Sequence, residues 1–365
     1  MRRIEFHNRE KETEEIRDIL DAEPSLITFV YGPINSGKTT TISHLIKELP
    51  VEYAPFYVNL RGRFITDYED LLNVLFEIDE REGVGNVTEY AKSALKDLGA
   101  VSGISGIPIP INLFEKIFEK KDKSKDMFKY IEQFFAEISK TRTPILIIDE
   151  LQVIGDLKID GFLIYKLFNF FIRLTKELHL AHVFVITSDS LFIEQVYSEA
   201  MLEGRCRYLL VDDFDYEATA AFLKKHGFTD DETSVAWEYF GGKPVYLIEL
   251  ANYEKKVAKA EELLMLRTGE IETTLKRVNE LGGAIIIEDI KYSVSYGNLV
   301  GALKKFVDRE TIDMNEVDEI SKAFLVKKNM LFVDPLMKMI KPQSRLDLLA
   351  IQEVMRNLYI GVDEH

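Results

Sequence analysis

Residues 32–39 combine glycine, lysine and threonine at the spacing of a phosphate-binding loop. The run reads G-P-I-N-S-G-K-T and matches the pattern G-x-x-x-x-G-K-[ST] completely. Phosphate oxygens bind backbone N–H groups that converge on them, and glycines let the chain wrap that closely. We expect Lys38 to reach the β- and γ-phosphates of a nucleotide and the Thr39 hydroxyl to bind Mg²⁺. The predicted nucleotide-binding residues of this run are Gly32, Pro33, Ile34, Asn35, Ser36, Gly37, Lys38, Thr39 and Thr40.

Two adjacent carboxylates, Asp149 and Glu150, follow the apolar run 145–148. A buried strand of this kind ends at the edge of a parallel sheet where ligands bind. We expect Asp149 to hold Mg²⁺ through water, and Glu150 to act as the general base that polarises the attacking water. An apolar strand ending in two acids can also simply lead the chain into solvent. The complete phosphate loop upstream favours the catalytic interpretation.

Ser188 and Arg205 are further candidates for the catalytic set. Ser188 follows the apolar run 183–187, so its hydroxyl could lie near the γ-phosphate or could cap the next helix. Arg205 precedes another apolar run and could reach the γ-phosphate in its own chain or in a neighbouring subunit. Because arginines commonly flank strands without such a role, the assignment of Arg205 is a hypothesis.

Five short apolar runs, rich in Ile, Val, Phe or Leu and bounded by turn residues or charges, are typical of β-strands. Between them, apolar residues recur at helical spacing, as at Ile42, Leu45 and Leu49. Strands that alternate with helices predict an α/β fold with a parallel sheet covered on both faces. The predicted strands are 26–31, 56–60, 145–149, 183–187 and 208–211.

The chain divides into three predicted regions. Residues 1–211 form a nucleotide-binding domain, with a surface insertion at about 83–123 that includes a Gly-, Ser- and Pro-rich stretch and could carry a small hairpin. Residues 212–270 are predicted to form helices, one of them opened by Asp215, with a break at the Gly-Gly-Lys-Pro run before the next helix. Residues 271–365 form the last region.

The last region contains helices followed by the run 324–334, which is predicted to form two short strands turning at Lys328 and Asn329. This resembles the wing of a winged helix, a structure that can place a helix in the DNA major groove. From Glu270 onwards, however, 13 Lys and Arg stand against 16 Asp and Glu. DNA affinity depends on neutralising phosphates, so we favour intramolecular packing or protein contact over DNA readout.

Composition limits the classes of protein. The 365 residues carry 62 acidic and 46 basic side chains, a net charge of −16 that argues against a general nucleic-acid binder. The single cysteine, Cys206, excludes an intramolecular disulfide and a cysteine-built zinc site, and a reducing, cytoplasmic location is expected. No apolar run reaches the roughly 18 residues of a membrane span, so no membrane partner is expected.

The order of these motifs resembles the archaeal ATPase family, a branch of the STAND class of P-loop NTPases related to AAA+ proteins. The resemblance extends over nearly the whole chain, and the motif combination is more specific than the phosphate loop alone. Besides the loop, it rests on F-H-N-R-E at 6–10, I-I-D-E-L-Q at 147–152, G-R at 204–205, G-K-P at 242–244 and K-P-Q-S at 341–344.

The resemblance implies a five-stranded sheet in which run 183–187 lies between the strands leading to the phosphate loop and to Asp149. It also implies a helical lid and a C-terminal winged helix. Arg9 would lie by the adenine, and Pro244 of the lid would pack on the base. Where members of the family often have Gly-Ser after the fourth strand, this chain has Thr187 and Ser188.

The sequence thus predicts an ATP-binding P-loop ATPase that slowly hydrolyses ATP to ADP with Mg²⁺ and acts as a nucleotide-dependent switch. One alternative is a DNA-associated AAA+-like factor that uses the winged helix. Another is a non-enzymatic scaffold that holds ADP. A small-molecule kinase is disfavoured by the adjacent acids and by the long helical C-terminal part. A protein partner or self-association is possible in each case.

Overall fold

A computed structural model describes residues 7, 9–80, 86–97, 104–119, 123–154, 163–198, 202–287 and 290–360. Its first part alternates strands and helices, as predicted. In chain order these are α1 (Glu10–Asp21), β1 (Ile27–Tyr31), α2 (Lys38–Glu48), β2 (Tyr53–Asn59), α3 (Tyr68–Leu75), β3 (Phe76–Asp79), α4 (Val87–Asp97), β4 (Ile104–Ser105), β5 (Ile107–Pro110), α5 (Ile111–Glu119), α6 (Lys123–Ile138), β6 (Thr143–Asp149), α7 (Leu163–Ile172), β7 (His182–Ile186), α8 (Ser190–Ser198) and β8 (Cys206–Leu210).

The central sheet has the strand order β4-β2-β6-β7-β1-β8, and all of its pairs are parallel. The predicted five-stranded core is confirmed, with β7 between β6 and β1, and β4 adds a short edge strand. Every residue of β1 and β7 is buried because helices cover both faces of the sheet. Phe29 faces one core and Val30 the other, as strand alternation requires.

In the described part of the insertion, the two short strands do not form the hairpin that the sequence allowed. Strands β4 and β5 flank Gly106, but β4 pairs in parallel with β2 and β5 pairs in parallel with β3. The Gly106 N–H also donates to the Tyr57 carbonyl at 2.8 Å, which ties the insertion to the central sheet. Other parts of the insertion, including residues 98–103, lie outside the described residues.

The second part of the chain is helical and then mixed. Its elements are α9 (Tyr216–Lys225), α10 (Asp230–Phe240), α11 (Pro244–Ala251), α12 (Lys256–Leu281), β9 (Gly283–Ile287), β10 (Ile290–Val294), α13 (Tyr296–Lys304), β11 (Ile312–Asp313), α14 (Glu319–Lys327), β12 (Leu331–Asp334), β13 (Met339–Pro342) and α15 (Arg345–Ile360). None of the helices in the described ranges is long and apolar enough to cross a membrane.

We call α9–α11 the lid. The Asp215 side chain caps α9 by accepting from the Ala218 N–H at 2.8 Å, as its position predicts. Helix α10 ends at Phe240, and α11 begins at Pro244, so the Gly-Gly-Lys-Pro run is the predicted break. The predicted border at residue 270 falls inside the continuous helix α12, and the division into three domains stays a prediction.

The C-terminal unit has a winged-helix arrangement. Helices α13 and α14 pack with an antiparallel sheet of order β11-β13-β12, and the β12–β13 hairpin is the wing. The predicted strand at the start of run 324–334 is wrong, because those residues end helix α14. The Asp318 side chain caps that helix by accepting from the Ser321 N–H at 2.9 Å.

The wing packs directly on the nucleotide-binding part of the molecule. Phe332 of β12 belongs to the core below the central sheet, and its ring stacks on Tyr31 at a centroid distance of 6.4 Å. The Val333 N–H donates to the Ser190 hydroxyl at 3.2 Å. The wing therefore touches β1 at the residue that precedes the phosphate loop.

Candidate functional site

The phosphate loop connects β1 to α2, so the amino end of a helix follows directly after a buried strand. Gly32 is required by close packing, because a Cβ there would lie 2.2 Å from the Val211 carbonyl oxygen. Gly37 adopts the left-handed conformation with φ of 99° immediately before α2. The loop therefore leads directly into the positive end of α2, where an anion can bind. Within the loop Asn35 is exposed and Ser36 is buried, and Thr40 is exposed in the first turn of α2.

Lys38 is buried within this loop. Its Nζ donates to the carbonyl oxygens of Gly32 at 3.0 Å and Pro33 at 2.8 Å, which leaves one N–H for a ligand. Burial, together with the positive charge of Lys243, lowers the pKa of Lys38 to about 7. An anion bound in the loop would raise the pKa of Lys38 again, because its negative charge favours the protonated amine.

Asp149 lies at the carboxyl end of β6, beside the loop. Its Oδ2 accepts hydrogen bonds from Thr39 Oγ1 at 2.8 Å and from the Tyr57 hydroxyl at 2.7 Å. Burial raises the pKa of Asp149, and these two hydroxyls oppose the shift. Its Oδ1 is buried and has no hydrogen-bond partner among the described residues. A hydroxyl and a carboxylate with a spare oxygen are donors that suit Mg²⁺, which takes its remaining ligands from water and phosphate.

Glu150 follows in a left-handed backbone conformation, with φ of 64°. Its two oxygens accept from Arg61 and from the Gln152 amide. Gln152 in turn accepts from the Thr187 hydroxyl at 2.7 Å. Thr187 therefore connects the end of β7 to the glutamate through Gln152. Ser188 lies half-buried beside it, and its role near the γ-phosphate stays a prediction.

Arg9, the residue that the family resemblance places by the adenine, is buried against the loop. Its guanidinium donates to the Ser36 carbonyl oxygen and to Glu12, the latter at 2.6 Å. The same group lies over the Phe214 ring, 4.6 Å from the centroid. Pro244 is the first residue of α11 and follows Lys243, which contacts the loop. These contacts do not test whether Arg9 and Pro244 bind adenine, and that role stays a prediction.

Ile34 of the loop is held from two sides. Its carbonyl oxygen accepts from Lys243 Nζ of the lid at 3.0 Å, and its N–H donates to Gln343 Oε1 of the C-terminal unit at 3.0 Å. Lys243 also pairs with Asp213 at 2.9 Å, and it is only 2% exposed. Gln343 is fixed by donating to the Leu331 carbonyl oxygen at 2.9 Å.

Arg205 is not brought to the phosphate loop. Its carbonyl oxygen accepts from the Ile27 N–H at 3.1 Å, so it lies at the amino end of β1. The loop lies at the other end, roughly 16 Å away for a five-residue strand. The predicted contact within the same chain is thus incompatible with the parallel pairing of β1 and β8.

Tyr57 and Arg61, which contact Asp149 and Glu150, belong to no sequence motif and were not predicted. Strand β2 lies beside β6 with Asn59 opposite Asp149. Polar residues at alternate positions 57, 59 and 61, at the end of an otherwise apolar strand, were the available signal. Among the described residues, no group of three or more His, Cys, Asp or Glu side chains could hold a metal ion by itself.

The parallel sheet, the loop and the acidic pair define a Walker-type P-loop ATPase. The model of a family described as an ATPase domain predominantly from Archaea matches residues 6–250, and the chain belongs to this family. A second model, for the C-terminal domain of MJ1010-like ATP-binding proteins, matches residues 257–355.

Two relatives are similar to this chain in sequence, and a solved structure is similar to it in fold. An “uncharacterized ATP-binding protein” of Pyrococcus abyssi is 45% identical over 97% of this chain and 99% of its own length. One of Methanocaldococcus jannaschii is 44% identical over 96% of this chain and 98% of its own. The structure of a Walker-type ATPase of Pyrococcus abyssi superposes with a TM-score of 0.59 at 15% identity. It covers 95% of this chain and 96% of that chain, and shows likeness of fold.

Proposed function

We propose that this ATPase hydrolyses ATP to ADP with Mg²⁺ in the cytoplasm and works as a switch, in which the lid and the wing respond to the nucleotide. The observation that carries the proposal is the double contact on Ile34. One phosphate-loop residue binds the lid through Lys243 and the C-terminal unit through Gln343. A change in the loop on nucleotide binding therefore acts on both units.

The chemistry assigns distinct roles to the chain's own residues. Lys38 neutralises charge on the β- and γ-phosphates, and Thr39 and Asp149 would hold Mg²⁺, which stabilises the negative charge of the transferred group. Glu150 accepts the proton of water as its oxygen attacks the γ-phosphorus and the bond to the β-phosphate oxygen breaks. ADP and inorganic phosphate are the products.

Arg61 supports slow turnover. Its guanidinium pairs with Glu150, which is buried, and this pairing occupies a carboxylate oxygen that must accept a proton. Glu150 can act as the base only when Arg61 moves away or leaves a carboxylate oxygen free to accept the proton. Because the Arg61 side chain is largely exposed, that movement is sterically open.

A DNA-associated role finds less support. Helix α14, the helix that precedes the wing, is packed towards α8 rather than presented to solvent. Lys322 is 1% exposed and pairs with Glu194 at 2.5 Å. A cation buried in this way cannot neutralise a DNA phosphate. A protein partner or a second copy of the chain is the better candidate for what the switch acts on.

The test is the Glu150→Gln variant. We expect it to bind Mg²⁺ and ATP within about twofold of wild type, while steady-state turnover falls by roughly 10² because the general base is lost. Binding is measured with a fluorescent ATP analogue and turnover by phosphate release. Glu132→Gln, at a surface pair with Arg173, is the matched control and should keep wild-type values.

Two results would contradict the proposal. Equal turnover in Glu150→Gln and wild type would remove the base assignment. A wild-type protein that carries ADP through purification and shows no turnover would instead be a nucleotide-holding scaffold.

A further inference from the structure

The two oxygens of Asp149 lie in different environments. Oδ2 accepts two hydroxyl donors, Thr39 at 2.8 Å and Tyr57 at 2.7 Å. Oδ1 is buried and has no partner in the part of the chain that the structure describes. A buried carboxylate oxygen without a donor costs free energy unless a ligand completes it. The arrangement thus reserves Oδ1 for a group that comes with the nucleotide.

Tyr57 is itself well fixed. It projects from β2, which pairs with β6 over its whole length, and the Asn59 amide donates to its hydroxyl oxygen at 3.5 Å. A phenol hydroxyl has one proton to donate, and Tyr57 donates it to Asp149 Oδ2.

Thr39 alone would not be enough to orient the carboxylate. Its hydroxyl oxygen is also the group expected to bind Mg²⁺, and one donor on one oxygen leaves the carboxylate free to turn about its Cβ–Cγ bond. The second donor, Tyr57, comes from another strand and restricts that rotation.

We propose that Tyr57 is a positioning residue for the divalent cation. By donating to Oδ2, Tyr57 would hold the Asp149 carboxylate so that Oδ1 is left for the cation or its water. The proposal rests on the Mg²⁺–nucleotide site of the proposed function. Outer partners of metal-binding carboxylates typically change metal affinity by 10–100-fold when they are removed. The expected effect of losing the Tyr57 hydroxyl is at the lower end of that range, since Thr39 remains.

The experiment measures binding of a fluorescent ADP analogue at increasing MgCl₂, with an EDTA arm. In EDTA, wild type and Tyr57→Phe should bind ADP alike. With Mg²⁺, the concentration that gives half of the Mg²⁺-dependent tightening should rise about tenfold in Tyr57→Phe. Tyr53→Phe is the matched control: Tyr53 lies on the same strand, but its hydroxyl donates to the Leu20 carbonyl oxygen at 3.1 Å. It should match wild type.

Asp149→Asn, alone and with Tyr57→Phe, tests whether the tyrosine acts through the aspartate. The double variant should have the Mg²⁺ dependence of Asp149→Asn, because coupled groups are not additive. Unchanged Mg²⁺ dependence in Tyr57→Phe, or an equal loss in EDTA and in Mg²⁺, overturns the inference and leaves the proposed function standing. Absence of any Mg²⁺-dependent tightening in wild type overturns both.

Discussion

At the scale of single residues, Lys38 links the loop to the protonation state of the protein. Two of its N–H groups bind the carbonyl oxygens of Gly32 and Pro33, and its pKa is lowered to about 7 by burial and by Lys243. A substantial fraction of Lys38 is therefore neutral in the nucleotide-free protein at pH 8. Bound phosphates favour the charged form and raise the pKa again.

Nucleotide binding should therefore be accompanied by proton uptake. Because the pKa of Lys38 is lower in the free protein than in the complex, affinity is highest below about pH 7. It should fall as pH rises through 7, by up to tenfold per unit. Calorimetry of ADP binding at pH 8, in two buffers of different ionisation enthalpy, should give uptake approaching one proton. Lys38→Arg, whose side chain stays charged, should take up none; a wild-type protein that also takes up none would contradict the prediction.

How much of the site the sequence predicts depends on whether a residue belongs to a local motif. Lys38 and Asp149 are found because spacing or position after a strand identifies them. Tyr57 is not, because its role depends on which strand lies beside β6. Arg205 is a different case. It precedes its strand, and ligands bind at the carboxyl ends of parallel strands, so the amino end lies on the far side of the sheet. The distance of Arg205 from the loop could therefore have been deduced from the sequence.

At the scale of elements, the segment 211–214 between β8 and the lid is packed against two glycines. A Cβ on Gly32 would lie 2.2 Å from the Val211 carbonyl oxygen, and one on Gly242 would lie 1.7 Å from that of Phe214. The Phe214 N–H also donates to the Gly242 carbonyl oxygen at 2.9 Å. The lid is thus joined backbone to backbone with the segment whose Phe214 ring lies against Arg9.

Gly242→Ala should force the lid away from this segment. Because the obstructing atom is backbone, we expect a loss of about 2–3 kcal/mol in the free energy of unfolding, together with faster proteolysis near residue 214. Gly269→Ala in helix α12 is the control: nothing lies within 4 Å of its added Cβ, so stability should stay equal or rise by up to about 1 kcal/mol. Equal stability of Gly242→Ala and wild type, measured by urea denaturation, would contradict this packing.

The predicted elements succeed where patterns are local and fail where pairing is distant. The start of α9, capped by Asp215, could be identified from sequence alone. The last turn of helix α14 was predicted as a strand because Phe324, Leu325 and Val326 are consecutive buried apolar residues, which removes the helical period. The insertion was expected to be able to carry a small hairpin, but β4 and β5 each pair with a strand more than 25 residues away.

At the scale of the whole molecule, Ile34 of the phosphate loop is bound by Gln343, the residue that follows the wing. The Gln343 contact holds the loop in a geometry in which Lys38 already donates to the carbonyl oxygens of Gly32 and Pro33. A preformed loop loses less conformational entropy when phosphates bind. Docking of the wing and nucleotide binding should therefore favour each other, and such coupling is necessarily reciprocal. Lys341 of β13 adds an ion pair with Asp212, in the segment between β8 and the lid.

Gln343→Leu should break this coupling with little change in volume. The hydrogen bond contributes about 0.5–1.5 kcal/mol, so ADP affinity should fall by roughly 2- to 12-fold. The Ile34 amide, protected in wild type by Gln343 Oε1 at 3.0 Å, should exchange its hydrogen faster in the nucleotide-free variant. Gln352→Leu removes a comparable amide that donates to Phe306 and Val307 carbonyl oxygens, remote from the loop, and should leave both readouts unchanged.

If Gln343→Leu exchanged faster at Ile34 but bound ADP as tightly as wild type, the contact would be packing without coupling. A rise in affinity would mean that the wing competes with the nucleotide, and the switch would work in the opposite direction.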